Sequence, residues 1–294
     1  MNQAQPGSRA AERRGALLIA GAALLWSTGG LFIKLAPMPG LAVAGARSAI
    51  TALFYLAVLR PDLRKARLTT ALAYAAMILS FVCATKLTTS ANAIFLQYTG
   101  PAYVLLLSPW LLGEKLRPRD VLTILLSLGG LSLFFVGKVE SGHAFGNALG
   151  AASGLFFGLS VLLLRRDARG STAGPGDAIP SAALGNLLAA AIALPLSLGA
   201  LQQTFSAPAP APALALAGLL WLGVVQMGCA YLLFARGLTR VPAAEASLVS
   251  MLEPLLNPLW VLLGTGERPG GWALCGGAVV LSAVLLRTLG DREA

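Results

Sequence analysis

Asn92 to Glu114 reads NAIFLQYTGPAYVLLLSPWLLGE, and Glu245 to Glu267, 153 residues further on with no gap, reads EASLVSMLEPLLNPLWVLLGTGE. In both stretches a proline, Pro101 or Pro254, lies inside an apolar run. In both, an acidic-basic pair closes the run thirteen residues later, Glu114-Lys115 and Glu267-Arg268. At the same offset Ala91 and Ala93 fall on Ala244 and Ala246, and Gln97 falls on Ser250. Gly15 to Lys34 aligns likewise with Gly146 to Arg165 at an offset of 131, a longer loop in the second half accounting for the change. The chain is read as two copies of one unit, 15–140 and 141–288, between tails at 1–14 and 289–294.

Composition sets the class. Hydrophobic residues make up 56% and charged residues 12% of 294 residues, and mean hydropathy is +0.75. A soluble chain carries about 25% charged residues; this one has too little polar surface to cover a globule and reads as a polytopic membrane protein. The net charge of +10 does not indicate nucleic acid, because the basic residues are dispersed between apolar runs and not gathered in one patch. Cys83, Cys229 and Cys275 all lie in apolar runs, so no disulfide is assigned. The one histidine, His143, falls in a loop and the carboxylates are scattered, so neither metal nor cofactor is expected.

Ten spans are expected, at about 15–35, 41–59, 70–88, 91–112, 119–137, 146–165, 178–200, 213–235, 243–264 and 270–288, each near the ~20 residues that cross hydrocarbon. The first is read as a retained helix, not a signal peptide, since no small-residue cleavage site follows Lys34. Ala36-Pro37-Met38-Pro39-Gly40 forms a turn, Ser206 to Pro212 an extended linker, and Gly170 to Asp177 the longest polar loop. The tail, alternate loops and C-terminus hold Arg9, Arg13, Arg14, Arg60, Arg64, Lys65, Arg67, Lys115, Arg117, Arg119, Arg165, Arg166, Arg169, Arg236, Arg240, Arg287 and Arg292. The opposite loops hold Lys34, Lys86, Lys138 and Arg268. This bias places both termini in the cytoplasm of a bacterial inner membrane. Five spans per copy is an odd number, so the copies take opposite orientations, as in transporters that bind substrate at the interface of inverted repeats.

The two halves, the proline of each quoted stretch with the glycine or glutamate before it, and the closing Gly-Glu-Lys/Arg resemble the drug/metabolite transporter superfamily, and within it the ten-helix EamA-type exporters. Arg47 at the start of the second span and Trp26-Ser27 also match that pattern. The overall look is similar to YddG-type amino-acid exporters, which implies efflux of aromatic and other neutral amino acids. The fold so implied is all-α: ten transmembrane helices in two inverted five-helix repeats, with alternating access to a central cavity.

Candidate site residues follow from the repeat. Pro101 and Pro254 remove a backbone donor and free the carbonyls of Gln97 and Ser250, which makes both prolines hinge candidates and both polar residues candidate liners. Tyr74, Ile78 and Phe81 map onto Met227, Tyr231 and Phe234 and share a helical face, suited to an apolar wall. Trp26, Phe156 and Phe157 are further aromatic candidates. Asn92 and its counterpart Glu245 enter their helices near the surface, where a capping role competes with a binding one. Glu253 lies about 15 Å into its span, and a carboxylate at that depth is a candidate for proton coupling. Arg47, about 9 Å in, is expected to snorkel to the outer surface. Gly146, Gly150, Gly154 and Gly158 recur every fourth residue, a packing stripe.

Three functional classes compete. A transporter of phosphorylated substrates needs basic residues at its site, and within the spans, away from their ends, only Arg47 is available. An intramembrane enzyme lacks its signatures, with no Gly-x-Ser-x-Gly and no midplane acid-base pair. The expected function is export of small neutral metabolites, foremost amino acids, with other metabolites or drugs, or uncoupled facilitation, as the alternative. A zwitterion would be held by freed carbonyls, helix ends and hydroxyls between aromatic walls. The expected partners are that small molecule and membrane lipid; the expected state is a monomer, with a dimer left open.

Overall fold

The computed structural model describes residues 6–88, 90–133, 144–169, 178–265 and 271–290. Every regular element among them is helical. In chain order these are α1 (Pro6–Trp26), α2 (Gly29–Leu35), α3 (Gly40–Phe54), α4 (Leu68–Leu87), α5 (Ser90–Gln97), α6 (Gly100–Leu112) and α7 (Pro118–Leu133). They continue as α8 (Ala144–Arg169), α9 (Ala178–Phe205), α10 (Ala211–Leu220), α11 (Ala230–Leu238), α12 (Ala243–Ser250), α13 (Leu252–Thr265) and α14 (Gly271–Gly290). Among the described residues, six stretches are long and apolar enough to cross a membrane: Ala10–Leu35, Gly40–Leu59, Leu68–Leu87, Ala144–Arg169, Ala178–Phe205 and Ala211–Leu238. Gly100–Leu112 is a shorter apolar helix. The polar loop from Gly170 to Asp177, His143 and the Glu267-Arg268 pair lie outside the described residues.

Both quoted stretches are interrupted. The first divides into α5 and α6 at Tyr98–Thr99, the second into α12 and α13 at Met251. The prolines sit in the first turn of the following helix, not in a helix interior, so each of these expected spans is divided by a short turn, two residues long at Tyr98–Thr99 and one at Met251. The first turn is where a missing N–H costs least, because those donors have no intrahelical acceptor. A third interruption, at Ser27–Thr28 between α1 and α2, is pinned by two indoles: Trp260 Nε1 donates to Ser27 Oγ (2.7 Å) and Trp221 Nε1 to Thr28 Oγ1 (3.0 Å).

Two further departures are π-helical turns, Tyr55–Leu59 at the end of α3 and Trp221–Cys229 between α10 and α11. Wider turns misalign backbone carbonyls, which then need other donors. From α3 and its π turn, Thr51 Oγ1 donates to Gly223 O (2.8 Å), and Tyr55 Oη lies 3.2 Å from Gly228 O and 3.3 Å from Met227 O. Two buried hydroxyls therefore hold the π segment of the second half to the first half.

Close approach follows the glycine stripe. On α8, a Cβ at Gly154 would stand 2.4 Å from Leu96 O and from Thr99 Oγ1, and one at Gly158 would stand 2.7 Å from Gly100 O. Apolar surfaces gain nothing from meeting each other inside lipid, so contact must come from packing, and small residues allow it. At the far end of α6, Gly113 adopts φ 63°, a left-handed cap that favours glycine. The next residue, Glu114, pairs with Arg165 (3.1 Å) and Arg169 (2.7 Å) at the end of α8 and accepts from Ala243 N (3.0 Å), the first residue of α12. The linker Ser206 to Pro212 is shorter than expected, since α9 runs to Phe205 and α10 begins at Ala211. Helices α7 and α14 pack against each other, and none of their described residues lines the cavity described below.

Candidate functional site

The breaks and the π segment converge on one cavity. It is lined by Trp26 of α1, Arg47 of α3, Met77, Ile78 and Phe81 of α4, Gln97 of α5, Phe157 of α8, Gln226 and Met227 of the π segment, Tyr231 of α11, and Glu253 of α13. The walls are aromatic and mutually braced. The Tyr231 ring lies 4.7 Å from Trp26 and 4.8 Å edge-on from Tyr74, and Tyr98 lies 6.0 Å from Phe157. The cavity offers about 30 Å³ to the centres of water molecules, room for about two waters. This conformation is too narrow for an amino acid.

Two buried ionisable side chains, Arg47 and Glu253, line the cavity. Arg47 is 2% exposed; its Nη1 donates to Gln226 Oε1 at 3.4 Å, and its Nε has no partner among the described residues. It does not snorkel, contrary to the sequence expectation, because α3 turns this side chain towards the π segment. Gln226 is oriented in turn by donating to Trp26 O (3.4 Å). Glu253 is 8% exposed, and its Oε2 accepts from the Tyr98 hydroxyl at 2.7 Å. The same hydroxyl stands 2.8 Å from Ser250 O, the carbonyl that Pro254 leaves without its i+4 donor. One O–H thus serves two acceptors, one at the helix break and one on the carboxylate.

Of the residues singled out by sequence, Trp26, Ile78, Phe81, Gln97, Phe157, Met227, Tyr231 and Glu253 meet in this cavity. Tyr74 is fully buried behind Tyr231. The Ser250 hydroxyl turns back to Ala246 O (2.8 Å), and Phe156 packs on the core beside the cavity. Pro101 and Pro254 are buried at the two breaks. Asn92 falls in α5, its side chain outside the description. Sequence reasoning passed over Gln226, although a glutamine within an apolar run is itself a signal. It also passed over Met77 and Tyr98, which nothing in the repeat pattern distinguishes. Among the described residues no cluster of histidine, cysteine and carboxylate side chains is arranged to hold a metal.

A helical membrane protein with broken helices around a buried polar cavity has the form of a secondary transporter. Residues 13–136 and 144–289 each match the EamA-like transporter family, and the chain belongs to that family, within the drug/metabolite transporter superfamily. An uncharacterized transporter of Archaeoglobus fulgidus is 29% identical over 209 residues, 71% of each chain. A permease-like protein of Bacillus subtilis, YdzE, is 39% identical over 69 residues, which is 23% of this chain and 86% of its own. A crystal structure 22% identical in sequence superposes with a TM-score of 0.72 over 95% of this chain and 98% of that one, a likeness of fold alone. The protein is an integral membrane transporter.

Proposed function

We propose that this transporter exports small neutral amino acids, aromatic ones included, through the cavity between α1, α3, α4, α5, α8, the π segment, α11 and α13. The observation that carries the reading is an aromatic-walled cavity with few polar groups, placed where helices are broken. Its ten helical spans form two inverted five-helix repeats that alternate access in the inner membrane. The breaks before Pro101 and Pro254 serve as hinges, and Glu253 is the candidate site for a coupling proton. A substrate-sized cavity requires these hinges to open, since the present space has room for about two waters.

Purified protein in liposomes tests this directly. Labelled phenylalanine, leucine and tryptophan should be carried above the rate of empty vesicles. Imposing a pH gradient should change the rate if Glu253 couples a proton, and Glu253→Gln should abolish that response. Pro101→Ala and Pro254→Ala supply the missing N–H and should slow flux while thermal stability holds or rises. Full flux in stable proline variants would remove the hinges from the mechanism, and no amino-acid flux in the parent protein would overturn the substrate class.

A further inference from the structure

Arg47 and Glu253 line the same cavity, both more than nine-tenths buried, yet no ion pair joins them among the described residues. Each is steadied by a neutral neighbour, Arg47 by Gln226 (3.4 Å) and Glu253 by Tyr98 (2.7 Å). Each also keeps capacity in hand: Arg47 Nε is unpartnered, and only one carboxylate oxygen of Glu253 accepts a hydrogen bond among the described residues. Burying opposite charges without pairing them is costly, and a protein that only needed stability would pair them or replace them. Opposite ionisable groups that line one aromatic cavity without pairing suit a ligand that carries both signs itself.

We infer that the cavity binds a zwitterion by both of its charges, with Arg47 taking the carboxylate, Glu253 the ammonium, and Trp26, Phe81, Phe157 and Tyr231 enclosing an apolar side chain. The inference rests on the proposed function in taking this cavity as the substrate path, and it adds which group reads which charge. An anion alone would leave Glu253 unanswered, a cation alone Arg47, and an uncharged drug both. A guanidinium also fits a carboxylate through two parallel N–H donors, and Nε is one of the atoms such a fork uses. Gln226 and Tyr98 are then positioning residues, each orienting one of the two charged groups.

The experiment compares phenylalanine with two smaller molecules, 3-phenylpropionate, which lacks the ammonium, and 2-phenylethylamine, which lacks the carboxylate. Neither adds bulk, so rejection of either cannot be steric. In proteoliposomes of the parent protein, phenylalanine should inhibit its own labelled flux at a concentration at least roughly tenfold lower than either analogue, the usual scale for leaving a buried charge unpaired. Thermal stabilisation of the detergent-solubilised protein by each ligand gives a second readout that needs no flux. In Arg47→Gln the preference for phenylalanine over phenylethylamine should vanish while that over phenylpropionate persists. In Glu253→Gln the pattern should invert. If the parent protein carries phenylalanine but accepts both analogues equally well, the two-charge clamp is wrong while amino-acid export stands. If it neither carries nor binds any amino acid, both fall. Should either variant fail to fold, the parent protein's ranking of the three ligands still decides the matter.

Discussion

Tyr98 shows how much can depend on one hydroxyl. It is 1% exposed, and its O–H lies within hydrogen-bond distance of both Ser250 O and Glu253 Oε2. The carbonyl lacks its helical donor because residue 254 is proline, so Tyr98 of the first half completes a backbone group in the second. Tyr98→Phe removes that donor and leaves a buried carbonyl and a buried carboxylate short of a partner. The expected loss is about 1–3 kcal/mol, read as a lower unfolding midpoint in detergent, with flux reduced in the same variant. An unchanged midpoint would mean that another donor replaces the hydroxyl. Gln226 plays the matching part for Arg47 with longer contacts of 3.4 Å, so its amide is expected to matter more for selectivity than for stability.

At the scale of elements, the cavity exists because helices that could have been continuous are not. The breaks at Ser27–Thr28, Tyr98–Thr99 and Met251, together with the π segment Trp221–Cys229, bring carbonyls and polar side chains to a depth where lipid supplies no partner. Packing around the breaks is correspondingly tight. The glycine stripe of α8 presses on the junction of α5 and α6, and the atoms opposing Gly154 are largely backbone and cannot swing aside. Gly154→Ala should therefore force the helices apart and cost about 1–3 kcal/mol. Gly199→Ala on α9 meets nothing within 4 Å and should be neutral or stabilising by up to about 1 kcal/mol through helix propensity. Thermal melts of the two variants beside the parent protein check the contrast; equal destabilisation would mean that proximity to the break is not what constrains Gly154.

For the whole molecule the expectation that matters most is orientation. Seventeen basic residues on one set of loops against four on the other are expected to put both termini in the cytoplasm. The ion-pair cluster of Glu114, Arg165 and Arg169, which joins α6, α8 and α12 across the two halves, would then lie on the cytoplasmic side. In a background with Cys83, Cys229 and Cys275 replaced by alanine, a cysteine introduced by Ser206→Cys should react with an impermeant thiol reagent on whole cells, whereas one introduced by Ser8→Cys should be protected. Ready labelling at residue 8 would reverse the topology and move the ion-pair cluster to the outer face.

What sequence alone determined came from signals that act along the chain. Apolar runs, basic loops and the 153-residue offset between Pro101 and Pro254 established a helical membrane transporter, because hydrocarbon thickness and headgroup charge constrain each span separately. The aromatic faces on α4 and α11 were legible as well, since a helix places residues three and four apart side by side whatever surrounds it. Tertiary structure decided the rest. Whether Arg47 reaches outward to the surface or inward to the cavity depends on which way α3 is rotated, and rotation is set by neighbours such as the π segment. Nothing local links Tyr98 to Ser250 or Gln226 to Trp26. These pairs form across 152 and 200 residues, where only the packing of one half against the other determines which donor meets which acceptor.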